Sequence, residues 1–298
     1  MRPIDFHCHS TVSDGMLPPA ALAARAANNG CRWLALTDHD DLDGLAIAAQ
    51  TAADVGMGFV PGVEISVSWR DVTLHVVGLA IDPACPTLRE GLTQVRSGRA
   101  ERAEQMADGL ARAGIGGALQ GAYRYASNPA LISRAHFARY LVEQGHARDT
   151  GAVFKRFLVR GKPGYVRHEW ATLGAAVEWI HAAGGLAIIA HPGRYRVNGA
   201  GMQDLLREFR DLGGDGIEVI TSSHSTEDYR RFNVLAHEAG LLASVGSDFH
   251  APEESWMDVG GVPDLPLAAT PVWEALGLHW QPEPDRAGSD AEAVAGSA

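Results

Sequence analysis

The segment IDFHCHSTVSDG, residues 4–15, alternates apolar and polar side chains and then runs into a short polar loop. The alternation predicts a strand with one apolar face and one polar face, formed by Ile4, Phe6 and Cys8 and by Asp5, His7 and His9 respectively. Two imidazoles on one face of a strand can bind the same metal ion, but a lone His-X-His pair also occurs on exposed edge strands. The rest of the chain must decide between these interpretations.

Length and composition favour a large globular protein. The chain has 298 residues, 46% of them hydrophobic, which is enough for one large domain with an insertion or for two domains. We expect a cytoplasmic protein without membrane contact, because no secretory signal pattern is present and the longest apolar run, LAIIA, is too short to cross a bilayer. Cys8 and Cys31 are expected to be small buried hydrophobes, not a disulfide or a nucleophile.

Charge is distributed unevenly along the chain. The net charge of -11 argues against long duplex nucleic acid as a ligand. Residues 87–167 nevertheless contain fourteen Lys or Arg against six Asp or Glu. A basic segment within an acidic protein suggests an anionic ligand held between the two, although a salt-bridged helical surface would give part of the same count. No protein partner is indicated.

Strand and helix patterns alternate along most of the chain, which predicts an α/β fold with a parallel sheet or barrel. The runs FVPGVEISVSW and VTLHVVGLA form a predicted hairpin that turns at Arg70 and Asp71 and pairs Ser66 with His75. Residues 86–167 are almost entirely helical in pattern. We therefore expect a barrel from 1–85 and 168–281, an inserted helical substrate-binding subdomain at 86–167, and a disordered tail at 282–298.

Most of the histidines and carboxylates that could bind a metal fall at the carboxyl ends of predicted strands. These ends meet at one mouth of a parallel barrel. Single histidines or carboxylates at such ends are often structural. A buried group of six histidines and three carboxylates is unfavourable unless cations compensate the charge. The residues concerned are His7, His9, Asp14, His39, Glu64, His75, His191, Asp248 and His250.

The stretches FHCHSTVSDG, LTDHDDLDG, PGVEIS, LHVVGL, AHPGRY and GSDFH occur in this order between residues 6 and 250. Together they resemble the polymerase and histidinol phosphatase (PHP) superfamily. The resemblance implies a distorted (β/α)7 TIM-like barrel and three divalent metal ions. It assigns His7, His9, Glu64 and Asp248 to one ion, makes Glu64 a bridge to a second ion held by His75 and His191, and places Asp14, His39 and His250 around a third.

Within the superfamily, ISRAHFARYLVEQG, KPGYV and AHPGRY are most similar to the TrpH-like branch. That resemblance implies a metal-dependent phosphatase that removes the 3'-phosphate of a 3',5'-bisphosphonucleotide such as pAp, with 5'-3' exonuclease activity on short RNA as a further expectation. A histidinol-phosphate-type phosphatase and a noncatalytic metal-stabilised nucleotide-binding module are the alternatives. Mixed nitrogen and oxygen ligands favour Mn, with Zn and Fe as alternatives, over Mg.

Residues that contact the substrate are expected on the insert and at the barrel rim. Ser133, Arg134 and His136 begin a predicted helix, where a guanidinium and a second donor can hold a phosphate. Arg194 follows the ligand candidate His191 closely. For each arginine a surface salt bridge is the alternative.

Two further residues are candidates for a catalytic role. Asp40 is predicted to protonate a leaving oxygen or to orient His39, unless it caps the helix near Asp43. His224 follows the GIEVI strand and is the one other histidine expected near the barrel mouth.

Overall fold

The computed structural model describes residues 4–266 and 268–278, so the predicted tail at 282–298 and the last three residues of the predicted barrel lie outside the described part. One mixed sheet forms the centre of the fold, in the order β1-β2-β3-β4-β6-β7-β8, and β5 pairs with β3. Its strands are β1 Ile4–Asp5, β2 Trp33–Leu36, β3 Gly58–Trp69, β4 Val72–Leu79, β5 Ala171–Thr172, β6 Leu186–Ile189, β7 Gly216–Ile220 and β8 Leu242–Val245.

The sheet curls into a nearly closed barrel. The Phe6 amide, just after β1, donates to the Val245 carbonyl at the end of β8 over 3.2 Å. Cys8 and Phe249 form a further parallel bridge along the same seam. Neighbouring strands are parallel except around β4, which is antiparallel to both β3 and β6. The barrel-type α/β fold predicted from the sequence is thereby confirmed, with β4 as the source of its distortion.

The β3–β4 hairpin has the predicted register. Glu64 lies opposite Val77 and Ser66 opposite His75. Side chains two residues apart along a strand share a face, so Glu64 and His75 are diagonal neighbours on one side of the hairpin. The tight turn places Arg70 in the left-handed region, with a φ of 52°.

Helices pack outside the barrel and build the insert. Proline or a side-chain cap starts several of them: Pro19 begins α1, and the Ser225 hydroxyl accepts from the Asp228 amide at the start of α10. The helices are α1 Pro19–Asn28, α2 Leu45–Asp54, α3 Pro86–Ser97, α4 Arg99–Arg112, α5 Ala118–Tyr123, α6 Arg134–Glu143, α7 Thr150–Val153, α8 Leu173–Ala182, α9 Gly199–Asp211, α10 Thr226–Ala239 and α11 Val272–Ala275.

The described residues form two hydrophobic cores. The barrel core includes Leu88, Leu92 and Val95 of α3, so this helix, although it falls inside the predicted insert of 86–167, packs as part of the barrel. The second core belongs to the insert, and its buried residues run from Ala103 to Leu158. The sequence period of the apolar face of α3 is the same as that of a helix in the insert. Sequence periodicity therefore cannot show whether α3 packs against the barrel or against the insert.

Ion pairs join the insert to the barrel. Arg139 of α6 makes two hydrogen bonds, of 2.9 and 2.8 Å, to the Glu254 carboxylate in the loop after β8. Because both oxygens of the carboxylate are used, this contact fixes the orientation of α6 as well as its position. The insert therefore stands beside the carboxyl end of β8, where the polar residues collect. None of the helices in the described ranges is long and apolar enough to cross a membrane.

Candidate metal centre

Glu64 is the centre of the polar cluster. It lies in β3 and is fully buried. Histidines that follow β1, β2 and β6, or lie in β4, surround its carboxylate. The distances to Oε2 are 3.2 Å for His7 Nε2, 3.1 Å for His9 Nε2 and 3.0 Å for His39 Nδ1, and those to Oε1 are 2.8 Å for His75 Nδ1 and 2.9 Å for His191 Nε2.

Two more carboxylates extend the cluster. Asp248, which follows β8, lies 3.3 Å from His9 Nε2 and 3.6 Å from His250 Nδ1. Asp14, in the loop after β1, lies 3.4 Å from His250 Nε2 and 3.8 Å from His39 Nε2. All nine residues that the sequence singles out as metal ligands therefore lie in one connected group at the carboxyl end of the barrel.

Three sets of residues could each hold a metal ion, because the potential ligand atoms within a set all lie within 4.8 Å of one another. The sets are His7, His9, Glu64 and Asp248; His9, Asp14, His39 and His250; and His39, Glu64 and His75. The first set has the composition predicted for one ion, and the second adds His9 to the predicted third group. His191 touches Glu64 without joining a set. The division of nine ligands among three ions stays a prediction.

The unsatisfied atoms of the cluster fit cations. Buried oxygens Asp14 Oδ1, Glu64 Oε2 and Asp248 Oδ1 have no hydrogen-bond partner in the described chain. Burial alone would lower the pKa of His9, yet Asp248 and Glu64 raise it to about 10. Burial alone would raise the pKa of Glu64, yet His7 and the other imidazoles hold it well below its usual value. The carboxylates and imidazoles thus perturb one another strongly, and divalent ions would bind to this mixture of nitrogen and carboxylate oxygen atoms.

The backbone around the cluster is strained. Asp40, His191 and Asp248 have φ values of 51°, 27° and 52°, and these three account for most of the five non-glycine residues with positive φ in the described ranges. Such conformations are uncommon for residues with a side chain and occur preferentially at functional sites. They turn the chain sharply where β2, β6 and β8 end, and so aim the ligands inward.

Asp38 positions the loop that carries Asp14. Its Oδ1 accepts from the Ser10 amide over 2.8 Å and from the Ser13 hydroxyl over 2.6 Å, while Oδ2 accepts from the Ser10 hydroxyl over 2.6 Å. Every one of these groups is buried. Asp38, which precedes His39, thus holds the loop after β1 in place through hydrogen bonds. Sequence reasoning did not assign it this role.

Glu218 is a buried residue in contact with the cluster that sequence reasoning missed. It lies in the middle of β7, and its Oε1 is 2.7 Å from His7 Nδ1. Its Oε2 accepts from the His191 amide over 2.5 Å. Gly246 makes room for this contact, because a Cβ there would stand 2.2 Å from His7 Cβ and 3.0 Å from Glu218 Oε1. The sequence feature that could have revealed Glu218 is its position as the one charged residue inside the apolar run GIEVI.

Asp40 forms a buried ion pair with Arg99 of α4. It also accepts from the Ser66 amide over 2.8 Å and from the Ser66 hydroxyl over 2.9 Å. Asp41 Oδ1 accepts from the Asp43 amide over 2.9 Å, but α2 begins after Gly44 without a side-chain cap, so neither Asp40 nor Asp41 caps this helix. These contacts give Asp40 a structural role between insert and barrel. Its predicted catalytic role stays a prediction.

His224 lies behind the loop of His191. Its Nδ1 donates to the Val219 carbonyl over 3.0 Å, and its Nε2 accepts from the Gly193 amide over 2.9 Å. Its ring stacks on Phe232 with a centroid distance of 4.6 Å. Both nitrogens are therefore used inside the protein, and the contacts support a positioning role for His224 on the rim.

The predicted substrate residues of the insert begin α6 next to the cluster. The Ser133 hydroxyl donates to Asp14 Oδ2 over 3.0 Å, and the Ser133 amide donates to His136 Nδ1 over 3.0 Å. Burial lowers the pKa of His136 to about 4, so the ring is neutral near pH 7 with its proton on Nε2. The guanidinium of Arg134 lies 5.7 Å from the centre of the Phe154 ring.

Arg194 pairs with a predicted metal ligand. Its guanidinium contacts Asp248 Oδ2, while 43% of its side chain stays exposed. Burial of the charge would lower the pKa of Arg194, but Asp248 and Glu64 raise it. Arg194 is thus a fixed positive charge on the solvent side of the cluster, where an anion can approach.

The fold and the cluster together define an α/β barrel with a candidate metal centre at the carboxyl end of its strands. A comparison with known families agrees, since the PHP domain model matches residues 5–222. The chain belongs to the PHP family.

Relatives cover nearly the whole chain. A 3',5'-nucleoside bisphosphate phosphatase of Chromobacterium violaceum is 51% identical over 276 residues, which is 93% of this chain and 97% of the relative. The 5'-3' exoribonuclease Rnm of Escherichia coli is 41% identical over 272 residues, 91% of this chain and 92% of the relative.

Solved structures show the same fold. An amidohydrolase from Chromobacterium violaceum, with bound sulfate and no metal, superposes with a TM-score of 0.90 at 51% identity over 92% of this chain and 96% of its own. A protein from Bifidobacterium adolescentis, described as a metal-dependent phosphoesterase, superposes with a TM-score of 0.77 at 25% identity over 92% of this chain and 95% of its own.

Proposed function

We propose that this protein is a metal-dependent phosphoesterase that hydrolyses the 3'-phosphate of a 3',5'-bisphosphorylated nucleoside and leaves the 5'-monophosphate. The observation that carries the proposal is the buried Glu64 carboxylate in contact with five histidines, flanked by Asp14 and Asp248. The names of the relatives, a nucleoside bisphosphate phosphatase and exoribonucleases, support this substrate class.

Short RNA is the second proposed substrate. A 5'-3' exoribonuclease that releases 5'-monophosphates cleaves the ester on the 3'-oxygen of the terminal nucleotide, which is the position attacked in a 3',5'-bisphosphate. The same site can therefore accept both substrates if it tolerates a chain beyond the reacting phosphorus. Nucleotide preference and the balance between the two activities are part of the proposal.

The nine residues of the cluster would hold three divalent ions, with Mn favoured and Zn and Fe as alternatives. The first set is His7, His9, Glu64 and Asp248; Glu64 would be shared with a second set containing His75 and His191; Asp14, His39 and His250 would complete the third. Bound divalent ions supply a hydroxide near neutral pH and neutralise phosphate oxygens.

The side chains around the cluster would orient the substrate. Arg194, on the solvent side, and Arg134 with His136, at the start of α6, are placed to donate to phosphate oxygens. Ser133 would keep α6 against Asp14 through its hydroxyl. Asp40 and His224 would act as positioning residues, since the Arg99 pair and the Gly193 contact occupy their polar atoms.

Phosphate release tests the proposal. The Mn-loaded protein is incubated with adenosine 3',5'-bisphosphate, adenosine 3'-monophosphate, histidinol phosphate and a 5'-phosphorylated oligoribonucleotide, and metal content is measured in parallel. We expect adenosine 5'-monophosphate and inorganic phosphate from the bisphosphate. Release from histidinol phosphate alone would select the histidinol-phosphatase alternative, and binding without turnover of any substrate would select the noncatalytic module.

A cytoplasmic location also stays a prediction, which cell fractionation tests.

A further inference from the structure

Trp256, in the loop after β8, is an exposed aromatic ring at the mouth of the barrel. Its side chain is 76% exposed, and it is the one exposed Phe, Tyr or Trp among the residues that the structure describes. Tryptophan is highly buried on average, because its ring has a large apolar surface. Single exposed apolar residues are nevertheless common, so the surroundings of this ring must show whether it has a function.

Hydrogen bonds hold the ring and its loop in place. The indole Nε1 of Trp256 donates to the carbonyl of Ser222, which follows β7. The hydroxyl of the neighbouring Ser255 accepts from the amide of His250, a predicted metal ligand, over 2.9 Å. The exposed ring is therefore fixed relative to the metal centre.

Glu254 and Trp256 contact different sides of the mouth. Glu254 is bound by Arg139 of α6 through both of its carboxylate oxygens. Trp256, two residues later, contacts the loop after β7 through Ser222. The ring thus belongs to the part of the rim formed by the barrel loops, and not to the part that α6 covers.

Arg194 belongs to the same part of the rim. Its guanidinium contacts a predicted metal ligand, and 43% of its side chain is exposed. The amide of the preceding Gly193 donates to His224 Nε2 over 2.9 Å, and His224 lies two positions after Ser222, the partner of Trp256. An exposed cation and an exposed ring therefore lie on linked loops. Proteins bind single-stranded nucleic acid by combining positive charge for the backbone with aromatic rings on which bases stack.

An RNA substrate extends beyond the reacting phosphorus, whereas a bisphosphorylated nucleoside ends there. In both proposed substrates the bond that breaks joins phosphorus to the 3'-oxygen of the first nucleoside, so this nucleoside occupies the same position. The second nucleoside of an RNA lies on the other side of the phosphorus. Since α6 covers one side of the metal centre, through the contact of Ser133 with Asp14, the rest of the RNA chain must leave past Arg194 and Trp256.

We propose that Trp256 is a stacking site for the base of the second nucleotide of a short RNA, counted from the 5' end. The inference rests on the proposed function and deepens it, because it assigns the use of RNA in addition to a bisphosphorylated nucleoside to a particular side chain. Trp256 is then a specificity-determining residue. Every base has an aromatic face, so the site recognises the presence of a base and not its identity.

Two substrates with the same reacting ester test this site. Adenosine 3',5'-bisphosphate and the 5'-phosphorylated dinucleotide pApA differ only in the second nucleoside. Trp256→Ala should lower kcat/KM for pApA by about 5- to 100-fold, the effect of losing one base-aromatic stack, and leave kcat/KM for the bisphosphate close to wild type. Val55→Ala is the control, because Val55 is an exposed apolar residue between α2 and β3, at the opposite end of the barrel. An equal loss on both substrates would overturn the stacking site.

A dinucleotide with an abasic second residue separates stacking from backbone contacts. It keeps the phosphodiester and the second ribose but has no base for Trp256 to contact. We expect wild type and Trp256→Ala to cleave it at the same rate. A loss in the variant as large as that on pApA would show that Trp256 does not act through the base.

Equilibrium binding tests the stacking site independently of turnover. A pApA analogue in which a methylene group replaces the scissile 3'-oxygen cannot be hydrolysed at that bond. Titration calorimetry on the Mn-loaded protein should show weaker binding of this analogue to Trp256→Ala, by about the factor found in kcat/KM, and unchanged binding of adenosine 5'-monophosphate, with circular dichroism confirming the fold. This result without hydrolysis of any substrate would reject the proposed function alone, whereas unchanged binding of the analogue would overturn the stacking site.

Self-association is the other explanation for an exposed ring. Sedimentation velocity of wild type and Trp256→Ala distinguishes it from stacking. We expect the two proteins to sediment alike while the variant loses activity on pApA. A wild-type dimer that becomes monomeric in Trp256→Ala, with cleavage of pApA unchanged, would make the ring a subunit contact and overturn the proposal.

Discussion

The His7 ring nitrogen Nδ1 lies 2.7 Å from Glu218 Oε1, and both side chains are buried. This contact leaves His7 Nε2 facing Glu64 at 3.2 Å, on the side of the predicted ion. A carboxylate that accepts from one imidazole nitrogen fixes the tautomer and makes the other nitrogen a better ligand. Glu218 therefore supports the metal centre from β7, a strand that carries no predicted ligand.

Replacing Glu218 by Gln should weaken metal binding. We expect Mn affinity to fall by about 10- to 100-fold, the range typical of partners that orient metal-bound histidines. Competition with a chelator, read out as metal content per chain, measures the change without relying on activity. Glu178→Gln, at an exposed position of α8, is the matched control. Equal metal retention in the two variants would show that Glu218 does not act through His7.

The ion pair between Asp40 and Arg99 should matter for stability. Asp40→Asn leaves a buried guanidinium without its acid and should lower the free energy of unfolding by about 3–5 kcal/mol. Denaturant unfolding of the metal-free protein measures this change. The double variant Asp40→Asn, Arg99→Met should recover part of the loss, because it removes the stranded charge. A variant of normal stability that loses kcat would instead support the predicted catalytic role of Asp40.

Two of the three thiols should be unreactive in the folded protein. Burial raises the pKa of Cys31, and it raises the pKa of Cys8 well above its usual value. Both thiols stay protonated at pH 8, and only a thiolate reacts rapidly with a disulfide reagent. Titration with an aromatic disulfide at pH 8 should detect no more than one thiol in native protein and three in guanidinium chloride. Rapid reaction of two or more thiols under native conditions would contradict the burial of Cys8 and Cys31.

Much of the fold and most of the candidate site could be predicted from the sequence. Alternation placed His7 and His9 on one face, and the hairpin register brought Glu64 next to His75, because these relations follow from the geometry of strands. Glu218 was not predictable in the same way, since a carboxylate inside an apolar strand has no partner until β7 and β1 are placed together. The packing of α3 against the barrel was likewise not predictable, because helical periodicity shows that a helix has an apolar face but not what that face packs against.

The most direct test of the account is Glu64→Gln, with metal content and phosphate release measured on the same preparation. The amide keeps the shape of Glu64 but removes the charge that five histidines and the predicted ions share. Compared with wild type and Glu178→Gln, we expect fewer Mn ions per chain and a loss of at least about 100-fold in phosphate release from adenosine 3',5'-bisphosphate. A Glu64→Gln protein with wild-type metal content and rate would contradict the account.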